Sequence, residues 1–109
     1  MFIRQQDHDH LQAMMRHLHL REQHSAATTG REALGFTAQE RALARVKAAA
    51  SATKKNWMLG GDDASALAFA YNRLIHVFGV SPQEKFMQDA RAAFKQIEEH
   101  IWPPGIRRP

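Results

Sequence analysis

Apolar residues recur every three or four positions along most of the chain, which is the spacing that places side chains on one face of an α-helix. Four segments carry this pattern, and they cover residues 10–24, 37–59, 63–78 and 82–102. The connections between the last three segments are short, which favours antiparallel neighbours. The sequence therefore predicts an all-α fold, a compact four-helix bundle.

Residues typical of helix termini support these boundaries. Asp9 is expected to cap the first helix, and Thr37 with Glu40 forms the capping-box pattern at the start of the second. Gly79 is expected to end the third helix, because glycine readily adopts the left-handed conformation found after helix ends. Ser81 is expected to cap the fourth helix, which Pro103 and Pro104 end.

Two stretches of the chain, residues 35–41 and 79–85, share a pattern of glycine, apolar, Ser or Thr, any residue, Gln, Glu and a basic residue. This pattern is compatible with two duplicated αα-hairpins. It is equally typical of two helix starts that follow the same capping rules. The segments before the two glycines do not align, which favours the second interpretation.

A chain of 109 residues has room for one hydrophobic core, so residues 1–109 are expected to form a single domain. Residues 1–8 are expected to be frayed, and residues 103–109 to form a tail. The absence of cysteine excludes a disulfide framework and a thiolate zinc site. The polar N-terminus does not look like a signal peptide, and no segment is long enough to span a membrane. A cytoplasmic protein without membrane contact is the expectation.

The net charge of +4 is distributed unevenly along the sequence. The segment from residue 41 to residue 61 has five basic residues and no acidic one: Arg41, Arg45, Lys47, Lys54 and Lys55. The small residues between them would let this helix approach a phosphate backbone, and Arg107 and Arg108 in the tail could add to the contact. The hypothesis is a non-enzymatic binding or regulatory module that engages nucleic acid or a nucleoprotein complex. A solvated basic helix without a partner is the simpler interpretation.

A second hypothesis is a protein–protein interaction module, such as an inhibitor, adaptor or chaperone, that contacts an acidic protein surface or a copy of itself. Trp57, Met58 and Trp102 are its candidate contact residues, because large apolar side chains are common at the centre of interfaces. Nucleic acid has no part in this second interpretation.

Histidines are concentrated in the first predicted helix, which raises the possibility of a metal or pH sensor. His8, His10 and His17 are the candidate ligands. They fall on both sides of the apolar stripe, and no two histidines of this helix have the i,i+4 spacing that brings two imidazoles to one ion. The sequence therefore predicts neither a metal site nor another cofactor.

The sequence shows no arrangement typical of a catalytic site. Asp62 and Asp63 are adjacent carboxylates, but their position before an apolar helix is explained by capping. The segment Gly79-Val80-Ser81 resembles the turn of helix-turn-helix proteins, yet Lys85 and Gln88 stand where that motif requires apolar residues. A non-enzymatic protein is the expectation.

Overall fold

The structure, a computed structural model, describes residues 3–51 and 59–102. These residues contain four α-helices and no strand: α1 (Gln5–Thr29), α2 (Thr37–Ser51), α3 (Gly61–His76) and α4 (Lys85–Ile101). The helices pack as a four-helix bundle in which α1 contacts the three others and contacts α4 most extensively. The all-α prediction is confirmed.

The N-terminal end of α1 lies earlier than the sequence pattern predicts. Arg4 is the N-cap residue, and its backbone N–H donates a 2.9 Å hydrogen bond to Oδ2 of Asp7. Ile3 is buried in the core, and Asp7 and His8 are buried as well. The prediction that Asp9 caps this helix and that residues 1–8 fray is therefore wrong for residues 3–8, because an apolar anchor and a buried capping carboxylate hold the first turn.

The C-terminal end of α1 lies later than predicted. The helix continues to Thr29, although residues 25–30 have the composition of a loop. The hydroxyls of Thr28 and Thr29 each donate a 2.9 Å hydrogen bond to a backbone carbonyl one turn back, those of His24 and Ser25. Side chains of this type are compatible with a helix when their hydroxyls bond within it.

The ends of α2 and α4 also differ from the prediction. Leu59 is not helical, so α2 does not continue to residue 59, and residues 52–58 lie outside the described part of the chain. Helix α4 begins at Lys85 rather than near residue 82. The reason is a turn in which Oγ of Ser81 accepts a 3.1 Å hydrogen bond from the N–H of Gln83, a local bond that competes with helix formation.

Helix α3 ends at His76, two residues earlier than predicted, and Gly79 follows with the predicted left-handed conformation, at a φ of 65°. The N–H of Gly79 donates to the carbonyl of Ile75, which is the bond of the αL motif, and the N–H of Val80 donates to the carbonyl of Leu74. Gly35, at the matching position of the other stretch, does not have a positive φ, and α2 begins two residues after it. The two similar stretches therefore share capping residues but not a conformation.

The core lies along the centre of the bundle and is built from the predicted apolar stripes. Its fully buried members include Leu11 and Leu18 of α1, Leu67 and Leu74 of α3, and Met87 and Ile97 of α4. Buried alanines stand between them on α2, α3 and α4, and their small side chains allow the helices to approach closely. Within the described ranges, no helix is both long enough and apolar enough to cross a bilayer.

One charged side chain, Glu22 of α1, is buried inside the bundle with only 1% of its surface exposed. Its Oε1 accepts hydrogen bonds from Arg31 at 2.6 Å and from the backbone N–H of Leu34 at 2.9 Å. Its Oε2 accepts a 3.1 Å hydrogen bond from Arg73 of α3. The hydrogen bonds from Arg31 and from the Leu34 N–H lower the pKa of Glu22 from 4.5 to about 2, against the opposing effect of burial.

We call Glu22, Arg31, Arg73 and the Leu34 N–H the Glu22 cluster. It joins α1 to the connection before α2 and to α3. The Nε of Arg73 has no hydrogen-bond partner among the described residues, and the guanidinium of Arg73 lies 5.7 Å from the centroid of the Phe78 ring, where a cation–π interaction stabilises it.

The Glu22 cluster predicts how stability depends on pH. The folded pKa lies below the unfolded value, so the stabilisation is complete above pH 4.5 and is lost as the pH falls towards 2. The shift corresponds to about 3 kcal/mol. We expect Glu22→Gln to lower the free energy of unfolding by about this amount at pH 7 and by much less near pH 2, measured by urea unfolding followed by circular dichroism.

Glu32→Gln is the matched control for this measurement, because Glu32 is an exposed carboxylate in the same connection. Its effect should stay within about 0.5 kcal/mol at both pH values. If the difference in free energy of unfolding between wild type and Glu22→Gln were as large near pH 2 as at pH 7, the ionised carboxylate of Glu22 would not be the source of the stabilisation.

The left-handed conformation of Gly79 gives a second prediction. A Cβ at this position meets nothing within 4 Å, so Gly79→Ala introduces backbone strain without a clash. We expect a loss of about 1 kcal/mol in the free energy of unfolding. Gly35→Ala is the control, because that position is equally open but has no positive φ. Equal effects of the two substitutions would show that φ at Gly79 is not the cause.

Candidate binding surfaces

The predicted basic face of α2 is only partly present in the structure. Arg41 and Lys47 are exposed, and the exposed residues Ala44, Ala48 and Ser51 lie on the same side of the helix. Lys54 and Lys55, which were expected to extend this face, lie outside the described residues, as do Arg107 and Arg108. The described part of this surface therefore consists of two exposed cations, Arg41 and Lys47, with small residues beside them.

Arg45 differs from Arg41 and Lys47 because it is held in an ion pair. Its Nη1 lies 3.1 Å and 3.3 Å from the two carboxylate oxygens of Asp63, which is buried at the start of α3. Oδ2 of Asp63 also accepts a 3.0 Å hydrogen bond from the N–H of Gly60 and so caps α3. Arg45, one of the five predicted basic residues, is therefore engaged by a carboxylate that the first turn of α3 places within its reach.

The helices themselves have no net charge. All eleven Asp and Glu and eleven of the fifteen Lys and Arg fall within residues 3–51 and 59–102. The surplus of four is made up of Lys54, Lys55, Arg107 and Arg108. Within the helices, α2 carries a net charge of +2 that α1 and α3 offset, and the four further cations lie in the segments that follow α2 and α4.

The C-terminal ends of α2 and α4 lie at the same end of the bundle. The ion pair of Arg45 with Asp63 holds the second half of α2 beside the start of α3. The ring of Trp102, just after α4, lies against Gly61, 3.5 Å from the position that a Cβ there would occupy. Helix α4 therefore ends beside the first turn of α3, whereas α2 passes that turn and ends six residues after Arg45, at Ser51.

This contact also bears on the predicted protein-contact residues. Trp102 is half-buried and packs within the chain, against α3, and is thus not a fully exposed anchor. Trp57 and Met58 lie outside the described residues. Of the three predicted contact residues, Trp102 is therefore the one that lies within the described part of the chain.

The histidines of α1 contact different neighbours. His8 is buried, with Nδ1 3.3 Å from Gln5 and 3.4 Å from Asp9. Nδ1 of His10 lies 3.9 Å from Oδ2 of Asp89 in α4. The ring of His17 stacks on the ring of Phe86, with 3.8 Å between the ring centroids. No group of three or more metal-ligating side chains occurs within the described ranges. The candidate ligands His8, His10 and His17 therefore do not form a described metal site.

Hydrogen bonds affect two of the carboxylates near these histidines. A hydrogen bond from Gln5, and after it one from His8, lowers the pKa of Asp9. The 2.7 Å bond from Lys85 lowers the pKa of Asp89. Burial lowers the pKa of His100 near the end of α4. None of these shifts brings an acidic group closer to neutral pH, where general acid–base catalysis would need it.

A groove with a volume of 660 Å³ runs between α3 and α4. The half-buried aromatic residues Tyr71 and Phe94 line it, together with Ala68 and Ala92. Its polar lining residues are Asn72, Gln88, Arg91, Lys95 and Glu98. We call this the α3–α4 groove.

Sequence reasoning missed this groove. Tyr71 and Phe94 pack against the edge of the core and are only partly buried. The signal that could have indicated it is Arg91 and Lys95, two cations at i,i+4 spacing on the polar face of α4.

The ion pair of Arg45 gives a prediction that separates structural from binding roles. Because Arg45 neutralises the buried cap of α3, we expect Arg45→Ala to lower the free energy of unfolding by about 1 kcal/mol. Arg41→Ala should change it by less than about 0.5 kcal/mol, since Arg41 is exposed. Urea unfolding of both variants checks this, and a loss in Arg41→Ala as large as that in Arg45→Ala would refute the distinction.

Comparison with protein-family models, curated proteins and solved structures finds no match to this chain. What the protein binds is therefore inferred from its own surfaces.

Proposed function

We propose that the protein is a non-enzymatic module that binds nucleic acid at the end of the bundle where α2 and α4 end. The observation that carries this proposal is the distribution of charge. The described helices are electrically neutral, and the whole surplus of four cations follows these two helix ends in the sequence.

The position of the helix ends supports a joint role for these cations. Lys54 and Lys55 follow Ser51 by three and four residues, and Arg107 and Arg108 follow Ile101 by six and seven. Both helices end at the end of the bundle where α3 begins. Cations from two segments can therefore contact one polyanion, and each phosphate contact releases counterions and adds to the affinity.

Arg41 and Lys47 extend the proposed surface along α2. Both are exposed, and no large side chain projects between them because the intervening exposed residues Ala44 and Ala48 are small. A phosphate backbone can approach such a surface closely. Phosphate contacts carry no sequence information, so the proposed binding is not sequence-specific.

The titratable groups favour binding over catalysis. The carboxyl with the largest pKa shift, Glu22, is kept ionised at neutral pH and is buried in a structural cluster. A general acid or base would instead have a pKa near the working pH and would face a groove. The α3–α4 groove has one carboxylate, Glu98, and no histidine among its lining residues.

The proposal predicts the salt dependence of binding. We expect wild-type protein to bind labelled duplex DNA and single-stranded RNA, with log affinity falling linearly with log salt between about 50 and 200 mM. Replacing Lys54, Lys55, Arg107 and Arg108 by alanine should make the slope shallower by about 3 to 4 for the duplex. Fluorescence anisotropy measures both quantities.

A charge-matched control has alanine at Arg16, Arg21, Arg91 and Lys95, which are exposed on α1 and α4. It should keep most of the wild-type slope. Equal losses in both variants would show that only net charge matters, and undetectable binding of the wild type at low salt would refute the proposal.

A further inference from the structure

The α3–α4 groove has the features of a binding site separate from the proposed nucleic-acid surface. Ala68 and Ala92 keep side chains from filling it, while Tyr71 and Phe94 offer apolar surface. Its volume of 660 Å³ lies within the range of known ligand sites. No segment of the described chain occupies it.

We propose that this groove binds an acidic amphipathic helix of a partner protein. The groove lies between two neighbouring helices, so a third helix can lie along it with its apolar face on Tyr71 and Phe94. On α4 the lining residues extend from Gln88 to Glu98, a length of about 15 Å, which corresponds to about three turns of a bound helix.

The charge of the bound helix follows from α4. Arg91 and Lys95 are exposed on adjacent turns, and neither forms an ion pair within the described residues. Carboxylates spaced one turn apart on the partner would face both cations. Exposed pairs of this kind add little affinity but select partner and orientation.

A second groove, between α1 and α2, is a weaker candidate. It has a volume of 340 Å³, and its rim includes both Arg16 and Glu40, which offset each other. Leu20 in this groove is 61% exposed, but nothing in its surroundings favours a partner of one charge. Charge complementarity therefore points to the α3–α4 groove.

A displayed library of amphipathic helical peptides tests the proposal on the full-length protein. The apolar positions are fixed, and two positions one turn apart on the flank vary between Glu, Gln and Lys. We expect selection to enrich Glu at both positions. Ala92→Arg should weaken binding of the selected peptides by about tenfold or more, because a long side chain then fills the groove.

Ala27→Arg is the matched control, because Ala27 is exposed on α1 away from the lining residues. It should leave peptide affinity unchanged. Arg91→Glu with Lys95→Glu should reverse the selection and enrich Lys. Circular dichroism shows whether each variant keeps its helical content, and Arg91→Glu with Lys95→Glu supplies the test if Ala92→Arg does not fold.

Failure to enrich any helix, or selected peptides that bind Ala92→Arg as well as they bind wild type, would overturn the proposal. Equal enrichment of Gln and Glu would show that the groove does not select an acidic helix, and would contradict the proposal. Concentration-dependent dimerisation abolished by Ala92→Arg would identify a second copy of the chain as the occupant, against the proposal. The affinity of Ala92→Arg for nucleic acid is measured in a separate experiment. A negative result in the peptide selection can therefore be distinguished from a failure of the proposed nucleic-acid binding.

Discussion

The buried carboxylate of Glu22 is the interaction on which the arrangement of this bundle depends. An ionised carboxyl inside a protein is destabilising unless its oxygens are satisfied, and the chain provides two guanidinium groups and one backbone N–H for this purpose. Meeting that requirement determines the position of Arg31 after α1, of Leu34 before α2 and of Arg73 near the end of α3. The apolar core holds the helices together, whereas the Glu22 cluster specifies how three parts of the chain meet at one end.

Periodicity was sufficient to predict the four helices and most of the core, because helical periodicity depends on residues only three or four positions apart. Gly79 could be predicted for the same reason, since its role is local. Glu22 could not be recognised, because its partners lie 9, 12 and 51 residues away. The role of Arg45 was missed in the same way, as Asp63 is 18 residues distant. The pairing of helix faces that creates the α3–α4 groove is also a tertiary property.

The charges of this protein divide it into a neutral scaffold and localised surfaces. Within the described helices, many acidic groups have a nearby cation or histidine. Arg91 and Lys95 of α4 form no such pair within the described residues and line a groove. The surplus charge lies in the segments that follow α2 and α4 in the sequence. The two proposed surfaces therefore differ in composition, one rich in cations and the other an apolar groove with a cationic edge.

The hydrogen bond from Arg73 to Glu22 joins the first two helices to the last two. A pair formed by α1 and α2 alone would leave the carboxylate with one guanidinium and one backbone N–H, and a pair formed by α3 and α4 would leave Arg73 without its acid. Each half thus contains a charge whose partner is in the other half. Neither half is expected to be stable alone, and the bundle should fold and unfold as a single cooperative unit.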